Sequence, residues 1–216
     1  MIKKLILMTK KDIGKFIKNE ILIDDKYSLI QKGIFVLNFP IKDILSGFCF
    51  EQSFYNKSEI YFWWFVQPLY APEKIIHLTF GKRLLNNKSD SWNIINSKAN
   101  VAELKITMGQ NLSWINFLSE PVNFFDHYIK KEYAKENLRF YENLVYTLVW
   151  IMSPNAKKEI ENCITYIEEK LDNSVVWISE IKENMVFLKS SSNPRKILEE
   201  WKHETVKSLE IEKNIL

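Results

Sequence analysis

The sequence predicts an α+β protein, with an N-terminal helix, a small antiparallel β-meander of four or five strands, and then a C-terminal bundle of antiparallel helices. An uncharged run of apolar and aromatic residues at 60–66 has the length and side-chain types of a strand. Shorter strand-like segments flank it, and helical periodicity dominates after residue 118. Strands first and helices afterwards favour α+β over α/β.

The run at 60–66 does not alternate between apolar and polar residues. A strand with one face in water would alternate. Both faces of this one are therefore expected to be covered, by core on one side and by a helix layer, another segment or a partner on the other. Pro68 and Pro72 bracket Tyr70 directly after it. Short links favour antiparallel neighbours, which places this strand between its two neighbours in the sequence.

The leading helix is predicted to run to about residue 22, because apolar residues fall near one stripe with lysines opposite. Asp24 and Asp25 end it. Gly14 weakens its centre by about 1 kcal/mol relative to alanine, and a break near Thr9 is compatible with the pattern.

Three further segments complete the predicted meander. Residues 34–39 form a strand that Pro40 stops, and residues 48–54 form the next. Residues 75–80 alternate between apolar and polar side chains, and Gly81 ends that strand.

The polar, turn-rich residues 86–100 indicate a long loop and a boundary. Residues 1–97 are predicted to form the helix and sheet. Residues 98–216 are predicted to form the helical half, packed on the sheet as one compact unit.

The segment 101–118 is compatible with two structures. Gly109 interrupts a helical pattern, and a fifth strand at 104–108 is the alternative. The helical pattern consists of Leu104, Met108, Leu112 and Ile115.

Five helices are predicted beyond this segment. Pro121 lies in the first turn of one. Asn137 caps the next, which runs to Met152 and is apolar almost all round, so it is expected to be the central buried helix. Ser153 and Pro154 open the third. Apolar stripes at 156–171, 177–188 and 197–209 define the last three.

Composition indicates a cytoplasmic, globular protein. Apolar residues make up 46% of the chain, the net charge is +3, and no segment is strongly basic. The N-terminus begins like a signal peptide, but its apolar run is too short. Cys49 and Cys163 lie far apart and form no CxxC pair, which is typical of buried thiols in a reducing compartment. Richness in lysine, asparagine and isoleucine suggests an AT-rich bacterial or phage genome.

The sequence contains no motif for metal or nucleotide chemistry. Its three histidines, His77, His127 and His203, are scattered, and HExxH, glycine-rich nucleotide loops and CxxC are all lacking. No metal site and no cofactor is therefore expected.

One catalytic arrangement is conceivable. Cys49 and His77 can lie on the same face of the predicted sheet, with Glu51 as the orienting group, as in a thiolate activated by imidazole. The alternative is a packed thiol beside a surface imidazole.

A second candidate site lies at the ends of the strands. Gln67 and Tyr70 flank Pro68, and Lys82 and Arg83 follow Gly81. Loops at strand ends often carry recognition, and tyrosine is a good binding anchor. The alternative is a hairpin turn with a capping tyrosine.

These features favour a non-catalytic, cytoplasmic protein that binds another protein, such as an immunity or antitoxin-like protein or an accessory subunit of a bacterial or phage conflict system. It carries more tryptophan and phenylalanine than one small sheet easily hides. Homo- or hetero-oligomers are both compatible with it, and no membrane partner is expected. The alternatives are an enzyme of unfamiliar type using Cys49 and His77, or a weak nucleic-acid binder. The lysines of that last hypothesis are Lys3, Lys4, Lys10, Lys11, Lys15 and Lys18.

Overall fold

The fold is given by a computed structural model that describes residues 9–22, 27–30, 33–86, 89–94, 97–131 and 134–212, with the backbone alone for 27–30. The predicted α+β class is confirmed, since a leading helix and an antiparallel sheet precede a series of helices. The elements are α1 Lys10–Phe16, which continues as a π-helix Ile17–Ile21, β1 Tyr27–Ile30, β2 Phe35–Asn38, β3 Ile44–Gln52, β4 Ile60–Pro68, β5 Phe80–Arg83, α2 Lys98–Leu118, α3 Pro121–Tyr128, α4 Leu138–Trp150, α5 Ala156–Lys170, α6 Val176–Ser190 and α7 Pro194–Ser208.

The chain groups into two compact units. The first contains Met1–Gln67, Ile76–Ser119 and Leu209–Leu216, and the second contains Pro68–Ile75 and Glu120–Ser208. The division of the chain at residue 97 into two folding parts stays a prediction. No helix in the described part of the chain combines the length and apolar character needed to cross a bilayer.

The sheet of the first unit has the strand order β1-β2-β3-β4-β5, which is a simple meander. Strand β2 runs antiparallel to both β1 and β3, with Phe35 opposite Cys49, and β5 runs antiparallel to β4, with Val66 opposite Phe80. Strands β3 and β4 are neighbours joined by a short turn, in which Ser53 N–H donates to the Glu59 carbonyl at 2.9 Å.

Strand β4 is the aromatic core of this sheet, and the predicted coverage of both its faces is confirmed. All of its residues are buried except Trp63, which is half-buried. On one face Phe62 stacks against Phe48 and Phe50 at ring distances of 5.4 and 4.9 Å. On the other, Phe65 meets Phe35 edge-on at 5.6 Å. Aromatic pairs in these arrangements contribute about 0.5–1.5 kcal/mol each beyond the area they bury.

The predicted strand at 75–80 is wrong. Residues 75–79 are irregular, and the strand that pairs with β4 begins at Phe80 and contains Gly81. A Cβ added at Gly81 would lie 2.6 Å from the Trp64 carbonyl oxygen. The glycine therefore marks a close approach of two backbones inside the sheet and not the end of a strand.

The segment after the loop is the helix α2, so a strand at 104–108 is wrong, and β1 is the fifth strand instead. The Ser97 side chain caps α2 by accepting the Asn100 N–H at 3.2 Å. Gly109 lies in the helix with no atom of a neighbouring element within 4 Å of an ideal Cβ.

The second unit is built around α4, which packs against α3, α5 and α7. Asn137 caps α4 as predicted, because its side chain accepts the Phe140 N–H at 3.2 Å. Nearly every residue of α4 is buried. The predicted start of the next helix at Pro154 is wrong, since α5 begins at Ala156. Ser153 instead belongs to the end of α4, where its N–H donates to the Leu148 carbonyl at 2.9 Å.

Candidate protein-binding groove

A groove of about 460 Å³ runs across the helical unit between α3, α4 and α5. Its volume falls within the range of about 300–1,000 Å³ that is typical of ligand sites. Its lining consists of Phe125, Asp126, Ile129, Lys135, Tyr141, Leu144, Val145, Leu148, Ile151, Ser153, Asn155, Lys158 and Glu159.

The floor of the groove is one face of α4. Tyr141, Leu144, Val145 and Leu148 are spaced i, i+3, i+4 and i+7, so they fall on one side of the helix. Three of the four are aliphatic, and the tyrosine lies at the N-terminal end of the row. The floor is therefore apolar along most of its length and polar at one end, and its four side chains are all buried.

Glu159 of α5 closes the polar end. Its Oε2 atom accepts hydrogen bonds from Lys135 Nζ at 2.9 Å and from the Tyr141 hydroxyl at 2.8 Å. Its Oε1 atom accepts from Asn162 Nδ2 at 3.2 Å. Both carboxylate oxygens are thus engaged by side chains of the protein itself.

The electrostatics of this cluster favour a charged carboxylate and a neutral phenol. Burial raises the pKa of Glu159, but the hydrogen bonds from Lys135 and Tyr141 outweigh burial and hold the pKa below its ordinary value. Burial and the hydrogen bond to Glu159 raise the pKa of Tyr141. A carboxylate with a lowered pKa is a poor proton acceptor at neutral pH, so the cluster is suited to recognition more than to proton transfer.

The two walls carry opposite charges. Asp126 projects from α3 and Lys158 from α5, and both are exposed. Among the residues that the structure describes, neither takes part in an ion pair. These charges are available to orient whatever enters the groove.

Apolar surface continues beside the groove. Met152, between the lining residues Ile151 and Ser153, is 76% exposed, and Val122, one turn before Phe125 and Asp126 on α3, is 53% exposed. Met152 has a φ of 53°, in the left-handed region where glycine is the usual residue. A methionine there costs roughly 1–2 kcal/mol of backbone strain. Its strained backbone and its large exposed apolar side chain make Met152 a candidate functional residue.

Two of the predicted catalytic residues lie in the sheet and the third lies outside it, and their joint action in catalysis stays a prediction. Cys49 and Glu51 share one face of β3, but His77 lies in the irregular segment before β5, outside the sheet. Cys49 is 3% exposed, and burial together with the charge of Glu51 raises its pKa to about 12. The thiolate is the nucleophilic form of cysteine, and little of it is present at neutral pH with such a pKa.

Two of the predicted partner-binding residues are buried. Gln67 is 0% exposed, and its Oε1 atom accepts the backbone N–H of His77 at 3.0 Å. Tyr70 is also 0% exposed in the second unit. It stacks on Trp150 at a ring distance of 4.7 Å, and its hydroxyl lies 2.9 Å from Thr147 Oγ1. Neither side chain offers surface to a partner.

The other two predicted residues lie on β5. Lys82 is exposed. The Arg83 guanidinium lies 3.9 Å from the ring centroid of Tyr61 and 4.6 Å from that of Trp63, and it pairs with Asp90 at 2.9 Å. Arg83 therefore packs along the sheet as a cation–π partner.

The lysine-rich N-terminal helix is described only in part. Lys3 and Lys4 lie outside the described residues, and α1 is seven residues long. Nucleic-acid binding through it stays a prediction. In the described part of the chain, no three or more histidine, cysteine, aspartate or glutamate side chains converge as metal ligands would.

Sequence reasoning did not find the groove. The sequence predicts that α4 is the central buried helix, and the structure confirms that burial, so the groove is distinguished by its polar end, which combines residues from three separate segments. One signal was present: Tyr141 stands at the head of an i, i+3, i+4, i+7 row of aliphatic residues. Comparison with protein-family models, with curated proteins and with solved structures gave no match.

Proposed function

We propose that this protein is a non-catalytic protein-binding protein and that the groove of the helical unit receives a helix of its partner. In this proposal the protein acts as an immunity or antitoxin-like protein, or as an accessory subunit of a bacterial or phage conflict system. The observation that carries the proposal is a groove with exposed charges of opposite sign on its two walls, Asp126 and Lys158, and with the exposed apolar side chains of Val122 and Met152 beside it.

The partner's chemistry follows from the lining. An amphipathic helix with an apolar stripe matches the exposed apolar side chains of Val122 and Met152 beside the groove, because helix-in-groove recognition uses apolar anchors along one face of the bound helix. The walls add charge complementarity: an acidic partner side chain faces Lys158 and a basic one faces Asp126. The exposed Met152 extends the contact beyond what a small molecule would cover.

A matched pair of variants tests the proposal. Met152→Gly removes the exposed side chain beside the groove and relieves a left-handed backbone strain. Glu210→Gly relieves the same kind of strain, at a φ of 55°, at a residue that is not part of the groove lining. Burying a methionine side chain contributes about 1.5–3 kcal/mol. We therefore expect partner affinity to fall about tenfold or more in Met152→Gly and to stay unchanged in Glu210→Gly.

The assay has two stages. Proteins from the native cell are captured on the immobilised full chain and on the variants Met152→Gly, Lys158→Glu and Glu210→Gly. A protein retained by the wild type and by Glu210→Gly, and lost from the other two, is then purified and titrated by calorimetry. Reversing an acidic partner residue to lysine is expected to restore binding to Lys158→Glu. Identical capture by all four proteins would refute the groove as the binding site.

The enzyme alternative has its own measurement. Thiol labelling of the native protein at neutral pH is expected to leave Cys49 unmodified, because it is buried and its pKa is raised to about 12. Rapid labelling of Cys49 before any global unfolding would revive the hypothesis that Cys49, His77 and Glu51 act together in catalysis.

A further inference from the structure

The sulfur atoms of the chain differ sharply in their access to solvent. Two cysteines and three methionines lie in the part of the chain that the structure describes, and four of these five side chains are buried. Cys49, Cys163, Met108 and Met185 are each at most 5% exposed, whereas Met152 is 76% exposed. A dissolved oxidant therefore reaches Met152 in the folded protein and meets the other four sulfur atoms only when the chain opens locally.

The two cysteines are protected by their acidity as well as by their position. Burial is the main cause that raises the pKa of the Cys49 thiol and that of the Cys163 thiol to about 12. The thiolate is the form of cysteine that peroxides oxidise, and little of it is present at neutral pH with such a pKa. The thiols are therefore poor competitors for an oxidant that can reach an exposed methionine.

The backbone fixes the place of Met152 at the end of α4. Its N–H donates to the Val149 carbonyl at 3.1 Å, and the N–H of Ser153 donates to the Leu148 carbonyl at 2.9 Å. The φ of 53° at Met152 is one that glycine adopts without strain, and glycine is the usual residue at this position of a helix end. The fold of this helix end therefore requires the backbone of Met152 and not its side chain.

Oxidation would change the chemistry of the surface beside the groove. Met152 lies between Ile151 and Ser153, which both line the groove, so a helix bound in the groove passes close to its side chain. The thioether is apolar and suits burial against an apolar stripe. The sulfoxide is polar and accepts hydrogen bonds, and burying it against the same stripe leaves that acceptor without a donor.

We propose that Met152 is a site of reversible oxidation, at which conversion of its thioether to the sulfoxide by a peroxide weakens the binding of a partner helix in the groove. The inference rests on the proposed function, because it concerns the regulation of the same groove. It assigns to one exposed side chain both the sensing of the oxidant and the loss of the contact.

The chemical step is a two-electron transfer of one oxygen atom. The Met152 sulfur attacks one oxygen of hydrogen peroxide, and an S–O bond forms as the O–O bond breaks. The sulfur is oxidised by two electrons, and the second oxygen takes the proton of the first and leaves as water. Methionine sulfoxide reductases reverse the step. Two thiols then supply two electrons and two protons, become a disulfide, and release the sulfoxide oxygen as water.

Peptide mapping by mass spectrometry tests the selectivity of oxidation and needs no partner. The folded full chain is treated with hydrogen peroxide at neutral pH, and the sulfoxide at each methionine is measured against time. Met152 is expected to oxidise at least about tenfold faster than Met108 and Met185, which react only after local opening. Equal rates at the three positions, in a chain that circular dichroism shows to be folded, would overturn the proposal.

The effect on binding is tested with Met152→Leu, which keeps an apolar side chain of similar size and has no sulfur. Peroxide is removed with catalase before the captured partner is added, so that only this chain is oxidised. Affinity of the wild type is expected to fall about tenfold after oxidation and to recover after treatment with both methionine sulfoxide reductases. Treated Met152→Leu is expected to keep its affinity. It retains Met1 and Met8, which lie outside the described residues, and so controls for their oxidation.

The outcomes separate this inference from the proposed function. Unchanged affinity of the wild type with Met152 fully oxidised, or an equal loss in treated Met152→Leu, would overturn the regulation while groove binding by the untreated protein remains. An untreated wild type that binds no protein through the groove is a failure of the proposed function. That failure is visible before any peroxide is added, and it removes the regulation with it.

Discussion

Replacing Glu142 by glutamine is expected to remove most of the loss of stability that the helical unit undergoes between about pH 5 and pH 8. Glu142 lies in α4, is 2% exposed and has a hydrogen bond from Arg139 Nη1 at 3.0 Å. The Tyr146 hydroxyl donates to its other oxygen at 3.3 Å. Burial raises the pKa of Glu142 to about 8, although Arg139 acts in the opposite direction. A glutamine has the shape of the protonated acid and cannot ionise.

The direction in which stability changes with pH follows from proton binding at Glu142. Between the unfolded pKa of 4.5 and the folded pKa of about 8, the folded chain holds a proton at Glu142 that the unfolded chain has lost. Stability from this group is therefore complete below about pH 4.5 and falls as the pH rises to about 8. At about 1.4 kcal/mol per pKa unit, the rise from 4.5 to about 8 lowers the free energy of unfolding by about 4–5 kcal/mol by pH 8.

Urea unfolding followed by circular dichroism at about pH 5 and pH 8 measures the effect. For the wild type we expect lower stability at pH 8, and for Glu142→Gln we expect a much smaller difference between the two pH values. At pH 5 the two proteins should agree within about 1 kcal/mol, since both carry a neutral side chain. Glu161→Gln, at a half-buried position on α5, is the control for the loss of a carboxylate.

Two results would refute this reasoning. Glu142→Gln with the same pH slope as the wild type would mean that another group titrates. Glu142→Gln that loses several kcal/mol at both pH values would mean that Glu142 is held charged by Arg139, because breaking a buried ion pair costs about 3–5 kcal/mol.

Three further predictions concern the backbone and can be measured by chemical denaturation. Met152→Gly and Glu210→Gly should each stabilise the fold by about 0.5–1 kcal/mol, because relief of left-handed strain exceeds the added entropy of the unfolded chain; a loss of stability in both would contradict this. Gly81→Ala should destabilise by about 1–3 kcal/mol or more, because its methyl group collides with the backbone of β4. Asn137→Ala should cost about 1 kcal/mol as a lost N-cap, whereas Asn155→Ala, whose side chain makes no cap hydrogen bond, should cost less.

The fold is predicted best where the pattern of apolar residues in the sequence matches the burial of the same residues in the structure. Residues 60–66 could be assigned to a doubly covered strand because no polar residue interrupts them, and the rings of β4 are packed on both faces. Asn137 and Pro121 could be placed at helix starts because capping depends on local chemistry alone.

The ambiguity of 101–118 has a physical cause. Apolar residues on both sides of α2 cancel the one-sided periodicity by which an amphipathic helix is recognised. The interruption by Gly109 added to the doubt, although a single glycine costs a helix only about 1 kcal/mol.

The predictions at 75–80 and at Pro154 are wrong because a glycine or a proline ends or begins an element only in some three-dimensional contexts. Gly81 fits the narrow space beside β4, and that requirement is long-range. Ser153 completes the C-terminal cap of α4 and so delays the start of α5. The groove depends on the meeting of three segments, which a single sequence does not reveal.

The cation–π packing of Arg83 also affects the edge of the sheet. Strand β5 is the last in the order of the strands that the structure describes, so one side of its backbone has no neighbouring strand among them. Such borders invite strands of other chains to add by hydrogen bonding, and short length and positive charge are common deterrents. With only four residues, an exposed Lys82 and an Arg83 that lies over the rings of Tyr61 and Trp63, β5 discourages edge-to-edge aggregation of the aromatic sheet.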